Sequence, residues 1–328
     1  MPTPPRTMHA LLIRRFGGPE VVEFAETAVP EPRAGEVLLK VEAASLNPVD
    51  YKIRGGKYPL VKDDKLPYVL GRDFCATVAH SDDPAWPART LVHGLLEIEH
   101  GSFAQYTVAR ADELVRVPGT IDRLVAAAVP LAGLTAWQGL FDHGGLQAGQ
   151  RVLIHAGAGG VGHLAVQFAK ARGAHVITTV SPDDVAFAHS LGADEVIDYK
   201  AERFENKLRD IDLVYDLIGD DTQERSWSVL KRGGTLVSTV QEPSRVKAAA
   251  IGVRAMRYTA ESNANQLREI DALIQSGKVK PQIARQFAYG EAKAAFDALE
   301  HGHGSGKLVL DMAGVIASLP DPIYKPGD

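Results

Sequence analysis

The run Arg151-Val-Leu-Ile-His-Ala-Gly157-Ala158-Gly159-Gly160-Val161-Gly162 carries the clearest chemistry in this chain. A short apolar strand enters a Gly-x-Gly-x-x-Gly turn, and an amphipathic helix follows at once. Val161, Leu164, Ala165, Phe168 and Ala169 recur on one helical face. Lys170 and Arg172 fall in the last turn and Gly173 ends it. His175–Val180 reads as a second strand. In such a unit Gly157 permits a tight turn, Gly159 lets the backbone approach a pyrophosphate, and Gly162 lets helix pack on strand. The free N–H groups at the helix start then face the anion. The plainer alternative is a glycine-rich turn in an ordinary α/β protein; the flanking strands and helix favour a dinucleotide site over Gly157–Gly162.

The end of the second strand bears on the choice of dinucleotide. An acid there would bind the ribose 2′-hydroxyl of NAD(H). The chain has Thr178-Thr-Val-Ser-Pro182 instead, and Asp183 and Asp184 read as the first turn of the next helix. This favours NADP(H), with Ser181 bonding the 2′-phosphate.

The elements around this unit set its context. Residues 8–120 read as β-rich and broken by Pro and Gly, with strands at Met8–Ile13, Glu36–Glu42, Ala104–Val108 and Glu113–Val117. From about residue 123 helix and strand alternate, through Glu195–Asp198, Asp212–Asp216, a helix over Thr222–Leu230, and Gly234–Ser238. That alternation predicts an α/β fold with a doubly wound parallel sheet. Gly219 and the pair Ser238-Thr239 then fall at strand C-termini, where such folds bind ligands. Lys307–Leu310 reads as a closing strand.

The 328 residues suit two domains, and 45% hydrophobic with 23% charged residues suits a globular protein. A net charge of −5 gives no footprint for nucleic acid or an anionic membrane. No apolar run approaches a membrane span. The start, Met1–Thr7, is polar and proline-rich and lacks a signal-peptide core, which points to the cytoplasm. One cysteine, Cys75, excludes an internal disulfide and a cysteine-rich zinc site.

Several motifs occur in a familiar order: Ser45-Leu-Asn-Pro-Val-Asp-Tyr51, Leu70-Gly-Arg-Asp73, Gly101-Ser-Phe-Ala-Gln-Tyr106, Ala132-Gly-Leu-Thr-Ala-Trp137, the glycine loop, Leu191-Gly-Ala-Asp194 and Gly306-Lys-Leu-Val-Leu310. With them the chain resembles the zinc-independent medium-chain dehydrogenase/reductase superfamily, in its quinone oxidoreductase-like branch. The resemblance implies a GroES-like β-domain over 8–122, completed by 279–328, and a Rossmann domain over 123–278. The cofactor would lie in the cleft between them. Zinc-dependent relatives carry a cysteine and a histidine near the first two motifs; here those stretches are Asn47–Asp50 and Gly71–Asp73, so no metal is expected.

By motif position Asn47 touches nicotinamide or substrate, or else it is a turn former before Pro48. Tyr58, in Gly55-Gly-Lys-Tyr-Pro59, resembles a tyrosine that enoyl-thioester reductases place near substrate, where a phenol donates a proton. The alternative is a loop tyrosine packed by proline. Tyr51 has a similar claim, whereas Asp50 and Lys52 read as structural. Thr135 resembles a cofactor contact, or is a helix-interior threonine. Tyr199 resembles a residue lining the adenosine ribose. Lys307 approaches the nicotinamide or is a surface lysine. Without a metal the expected chemistry is hydride transfer from NADPH to a small electrophilic acceptor, a quinone or activated alkene. The alternatives are an enoyl-thioester reductase and a low-turnover NADPH-binding structural or sensor protein. Gly252–Thr259 reads as an edge strand that would pair two copies into a homodimer.

Overall fold

The computed structural model describes residues 4–302 and 304–312. Sixteen strands occur among them: β1 (Thr7–Ile13), β2 (Val22–Ala28), β3 (Glu36–Leu46), β4 (Tyr68–Val69), β5 (Asp73–His80), β6 (Leu91–Leu95), β7 (Tyr106–Arg110), β8 (Val115–Arg116), β9 (Arg151–His155), β10 (His175–Val180), β11 (Glu195–Asp198), β12 (Ile211–Asp216), β13 (Leu230–Ser238), β14 (Arg254–Arg257), β15 (Ile283–Ala288) and β16 (Lys307–Asp311).

Six of them form one sheet in the order β11-β10-β9-β12-β13-β14, and all its pairings are parallel. The chain starts this sheet in the middle at β9, winds outward one way, then returns and winds the other way from β12. Val152, Leu153 and Ile154 of β9 are fully buried, as a central parallel strand covered by helices on both faces requires. The helix Gly162–Ala171 buries every residue from Gly162 to Ala169 against it. The crevice at the carboxyl ends of β9 and β12 is the point where strand order reverses.

The remaining strands build two mainly antiparallel sheets, β2-β1-β4 and β15-β16-β3-β5-β6-β8, with β7 pairing β3. β16 comes from the far end of the chain and lies antiparallel on β3, with Leu308 opposite Leu46 and Val309 opposite Ser45. The expected α/β class with a β-rich partner unit is therefore the observed one. Details differ. β3 runs four residues further than the expected Glu36–Glu42 because Ala43 to Leu46 stay buried and pair with β16. The expected helix over Thr222–Leu230 is Asp220–Ser226 followed by a tighter turn, Trp227–Val229. Glu113–Val117 shrinks to the two residues of β8, since Ala111–Glu113 coil into a short 3₁₀ turn.

Two polar ties bind helices to the sheet that contains β3, β6 and β16. His93 of β6 has Nδ1 3.0 Å from the Ala126 carbonyl and Nε2 3.0 Å from Asp271 Oδ2, and both side chains are buried. Ala126 lies in the helix Arg123–Ala128 and Asp271 in the helix Ala264–Gln275. Arg123 donates to both carboxylate oxygens of Asp311 at 2.8 Å and to the Glu42 carbonyl at 3.0 Å. A planar guanidinium suits this two-pronged grip.

Candidate active site

A cleft follows the carboxyl ends of β9 and β12. Its inner end, about 480 Å³, is lined by Asn47, Tyr51, Lys52, Thr239 and Lys307 together with the glycine loop. Its outer end, about 430 Å³, is lined by Ser181, Asp184, Tyr199 and Arg225, with His155 at its base. Ala156, Gly159, Ile218, Gly302 and Gly304 line both ends, so the two form one channel.

The glycine loop divides its labour differently from the sequence expectation. The left-handed residue of the turn is Ala156, at φ 56°, and not Gly157. Gly157 is required because a Cβ there would lie 1.9 Å from Thr178 Oγ1. At Gly162 a Cβ would lie 2.0 Å from the Ala156 carbonyl oxygen, which is the close helix–strand approach anticipated. At Gly159 a Cβ would stand 3.3 Å from the Ala156 carbonyl oxygen, a tight but far milder contact, and the residue lines both ends of the channel. The loop is tied down from the far end of the chain. Gly306 N–H donates to the Ala158 carbonyl at 2.9 Å. His163 donates from Nδ1 to the Gly159 carbonyl at 2.9 Å, and its Nε2 accepts the Gln282 N–H at 3.1 Å. That pairing needs a neutral ring, and burial holds His163 neutral by lowering its pKa to about 4.

At the inner end Asn47 caps the helix Pro48–Arg54. Its N–H donates to Asp50 Oδ2 at 2.8 Å, and its Nδ2 donates to the Ser45 carbonyl at 3.1 Å and to Asp73 Oδ1 at 3.2 Å. Ser45 Oγ also donates to Asp73, at 2.9 Å. Lys307 Nζ donates to the Leu46 carbonyl at 3.0 Å and to Asn47 Oδ1. All five side chains are buried. One ammonium thus faces two carboxylates. Burial pushes the Asp50 carboxyl up to about 7, with Asp73 adding to it and the Asn47 N–H, Lys307 and Arg72 opposing. Burial likewise raises Asp73 and lowers Lys307. Asp50 Oδ1 has no hydrogen-bond partner among the described residues.

The structure brings Asn47, Tyr51, Thr239, Lys307 and the loop residues Gly159, Gly160, Val161 and Gly162 to the inner end, and Ala158, Ser181 and Tyr199 to the outer end. It does not bring Tyr58, which is half-buried against the apolar core of the β-rich unit. Thr135 donates to the Leu131 carbonyl at 2.6 Å inside its own helix, and Ala132 of that helix lines the channel instead. Ser238 donates to Asp216 Oδ2 at 2.9 Å, and Gly219, at φ +82°, donates its N–H to Asp216 Oδ1 at 2.8 Å. They shape the strand ends rather than line the channel. Two lining residues were assigned otherwise in the sequence reading. Lys52 is half-buried at the inner end, and burial followed by the nearby Arg257 lowers its pKa. Asp184 lines the outer end from the short turn Pro182–Asp184.

Residues 33–119 match the alcohol dehydrogenase GroES-like domain, and residues 191–310 match the family described as zinc-binding dehydrogenase. The 2-methylene-furan-3-one reductase of Solanum lycopersicum is 34% identical, over 93% of this chain and 79% of the relative. The chloroplastic NADPH-dependent alkenal/one oxidoreductase of Arabidopsis thaliana is also 34% identical, over 93% and 80%. The solved quinone oxidoreductase of Coxiella burnetii superposes with a TM-score of 0.87 at 37% identity, over 93% of this chain and 99% of that one. The chain belongs to the medium-chain dehydrogenase/reductase superfamily, in its quinone oxidoreductase-like branch. It is an oxidoreductase. Zinc is named in the description of one matching family. Among the described residues no three His, Cys, Asp or Glu side chains could hold a metal together. The buried cation of the inner end is the Lys307 ammonium, held on Asn47 and Leu46.

Two outcomes follow for the medium-chain reductase. Gly162→Ala forces backbone to move and lowers stability by about 1–3 kcal/mol, whereas Gly159→Ala stays within about 0.5 kcal/mol of the wild type and loses nucleotide affinity. Thermal melts paired with NADPH titration separate the two, and equal behaviour of both variants would refute the assignment. The second concerns Asp50, whose folded pKa of about 7 stands above its ordinary 3.8. Its contribution to stability is present below the lower value and lost as pH rises through the upper one, a span worth on the order of a few kcal/mol. Asp50→Asn removes that loss. Its melting temperature gains on the wild type between pH 5 and pH 8, and a constant difference across that range would contradict the buried-carboxyl account.

Proposed function

We propose that this chain is an NADP(H)-using reductase that passes a hydride to an electron-poor acceptor, a quinone or an enal or enone, without a metal. The carrying observation is one channel with the glycine loop along its side and an inner end lined by Lys52, Tyr51, Asn47 and Lys307. The NADPH-dependent alkenal/one oxidoreductase among the relatives supports the same cofactor and acceptor class.

The channel residues fit a nicotinamide dinucleotide. Gly159, Gly160, Val161 and Gly162 line the channel, so a pyrophosphate there would lie against the loop backbone at the start of the helix. When bound, the nicotinamide supplies the hydride. The chain's own residues do the rest. Lys307 and Asp73 hold both ends of the Asn47 amide, so that group orients whatever it meets without rotating. Lys52 presents an ammonium to the oxygen that gains charge when hydride adds to an enone, and its lowered pKa makes it a better proton donor to the resulting enolate. Tyr51 stands beside it as a second hydroxyl donor. Tyr58 has only a packing role in this reading.

The unit boundaries are part of the same proposal: a GroES-like unit of 8–122 completed from residue 279 onward, and a Rossmann unit of 123–278. Sheet membership supports this, with β1–β8, β15 and β16 on one side and β9–β14 on the other. The stretch 313–328 lies outside the described residues. No helix among the described residues is long and apolar enough to cross a membrane, and a cytoplasmic setting belongs to the proposal. β14 is the outer strand of the parallel sheet, which supports a homodimer joined edge to edge.

The reading is tested by NADPH oxidation with a panel of quinones and 2-alkenals, with and without a chelator. Turnover survives chelation. Lys52→Met lowers alkenal turnover by about 10²-fold or more with little change in NADPH affinity, while Tyr58→Phe stays near the wild-type rate. Full activity in Lys52→Met would remove the proton-donor role, and no turnover of any acceptor would remove the reductase. Light scattering gives twice the chain mass of 35.3 kDa for the dimer; a mass of one chain would dismiss it.

A further inference from the structure

The outer end of the channel carries a carboxylate that the sequence pattern assigned to a helix. Asp184 is half-buried and lines this end directly. Pro182 turns the chain after β10, so a residue four positions beyond the strand comes back to the crevice. Both carboxylate oxygens accept hydroxyl protons: Ser181 donates to Oδ2 at 2.6 Å, and Ser305, arriving from the segment before β16, donates to Oδ1 at 2.5 Å. The Ser181 hydroxyl expected to meet a 2′-phosphate is therefore already spent on an acid.

The surrounding charge points the same way. Among the described residues lining this end Arg225 is the one Lys or Arg. Its guanidinium is engaged by Glu205 Oε2 at 2.9 Å and Asp221 Oδ2 at 2.7 Å. A ribose 2′-phosphate arriving here would meet a carboxylate and, among the described residues lining this end, no unpaired Lys or Arg. A neutral 2′-hydroxyl would find an acceptor, taking the place of the Ser305 hydroxyl on Asp184.

We propose that Asp184 is a specificity-determining residue that opposes the 2′-phosphate and accepts the 2′-hydroxyl, so that this reductase uses NADH alongside NADPH. The proposal rests on the channel being a dinucleotide site, and the experiment separates the two. Isothermal titration of the purified chain uses two probes that lack nicotinamide, adenosine 5′-diphosphate and adenosine 2′,5′-bisphosphate. In the wild type their affinities lie within about tenfold of one another. Asp184→Ser tightens the 2′,5′-bisphosphate at least about tenfold, the scale on which one close like charge acts near a protein surface, and does not tighten the 5′-diphosphate. Asp184→Asn, nearly the same shape, shifts the ratio in the same direction and guards against a folding defect in the serine variant. An unchanged ratio in both variants, or a wild type that takes the 2′,5′-bisphosphate more than a hundredfold tighter, overturns the proposal while leaving the dinucleotide site intact. Failure of both probes and of NADPH to bind the wild type overturns the site itself.

Discussion

The buried ammonium of Lys307 holds this architecture together. An isolated charge is costly to remove from water, and this one is compensated by the Leu46 carbonyl, the Asn47 amide oxygen and two facing carboxylates. Each of those partners belongs to the first half of the chain, while Lys307 begins the last strand. Its methylenes also pack on the glycine loop, where a Cβ on Gly160 would stand 3.1 Å from Lys307 Cδ. One side chain therefore fixes three separations: closing strand to β3, closing strand to Asn47, and β-rich unit to phosphate loop. Remove the charge and Asp50 and Asp73 lose the one ammonium they share.

The same arithmetic explains why the inner end is polar yet rigid. One positive charge does not satisfy two buried carboxylates, so the pair sheds the imbalance onto Asp50, which holds its proton to about pH 7. Asp73 is the better solvated of the two by protein groups, with Ser45 and Asn47 both donating to it. Asn47 is left without rotational choice. Its two amide protons have acceptors and its oxygen has a cationic donor, so the face it turns to the channel is set by charge rather than by packing.

The parallel sheet and its loop were legible because periodicity reports them directly: buried β9 reads as an apolar run, and the following helix buries the face its spacing predicts. The β-rich unit was legible only in pieces, since β5 and β6 lie between turns that leave no clean alternation. Residues that line the channel were legible where a local motif carried them, as at Asn47 and Gly159. They were lost where the chain reverses. Tyr58 follows Gly55 and Gly56, and Gly56 adopts a positive φ against Phe16, which carries the tyrosine away from the channel. Asp184 made the opposite trip after Pro182. Tyr51 and Lys52 differ from Tyr58 in lying inside the helix Pro48–Arg54, whose edge faces the channel. Nothing local distinguishes Lys307 from a surface lysine, because every atom that neutralises it is far off in the sequence.

That distance has a consequence for how the molecule is made. The Lys307–Asn47 contact spans 260 residues. At ordinary rates of synthesis, roughly 5–20 residues per second, the far partner emerges roughly 13 to 50 seconds after the near one. For most of that interval β3 has β5 on one side, but its Ala43–Leu46 stretch lacks β16 on the other. The parallel sheet has all six of its strands in hand well before then. The nascent chain therefore holds a finished parallel sheet beside a half with an open, apolar strand edge, and the last strand both seals that edge against self-association and completes the charge cluster at the inner end of the channel.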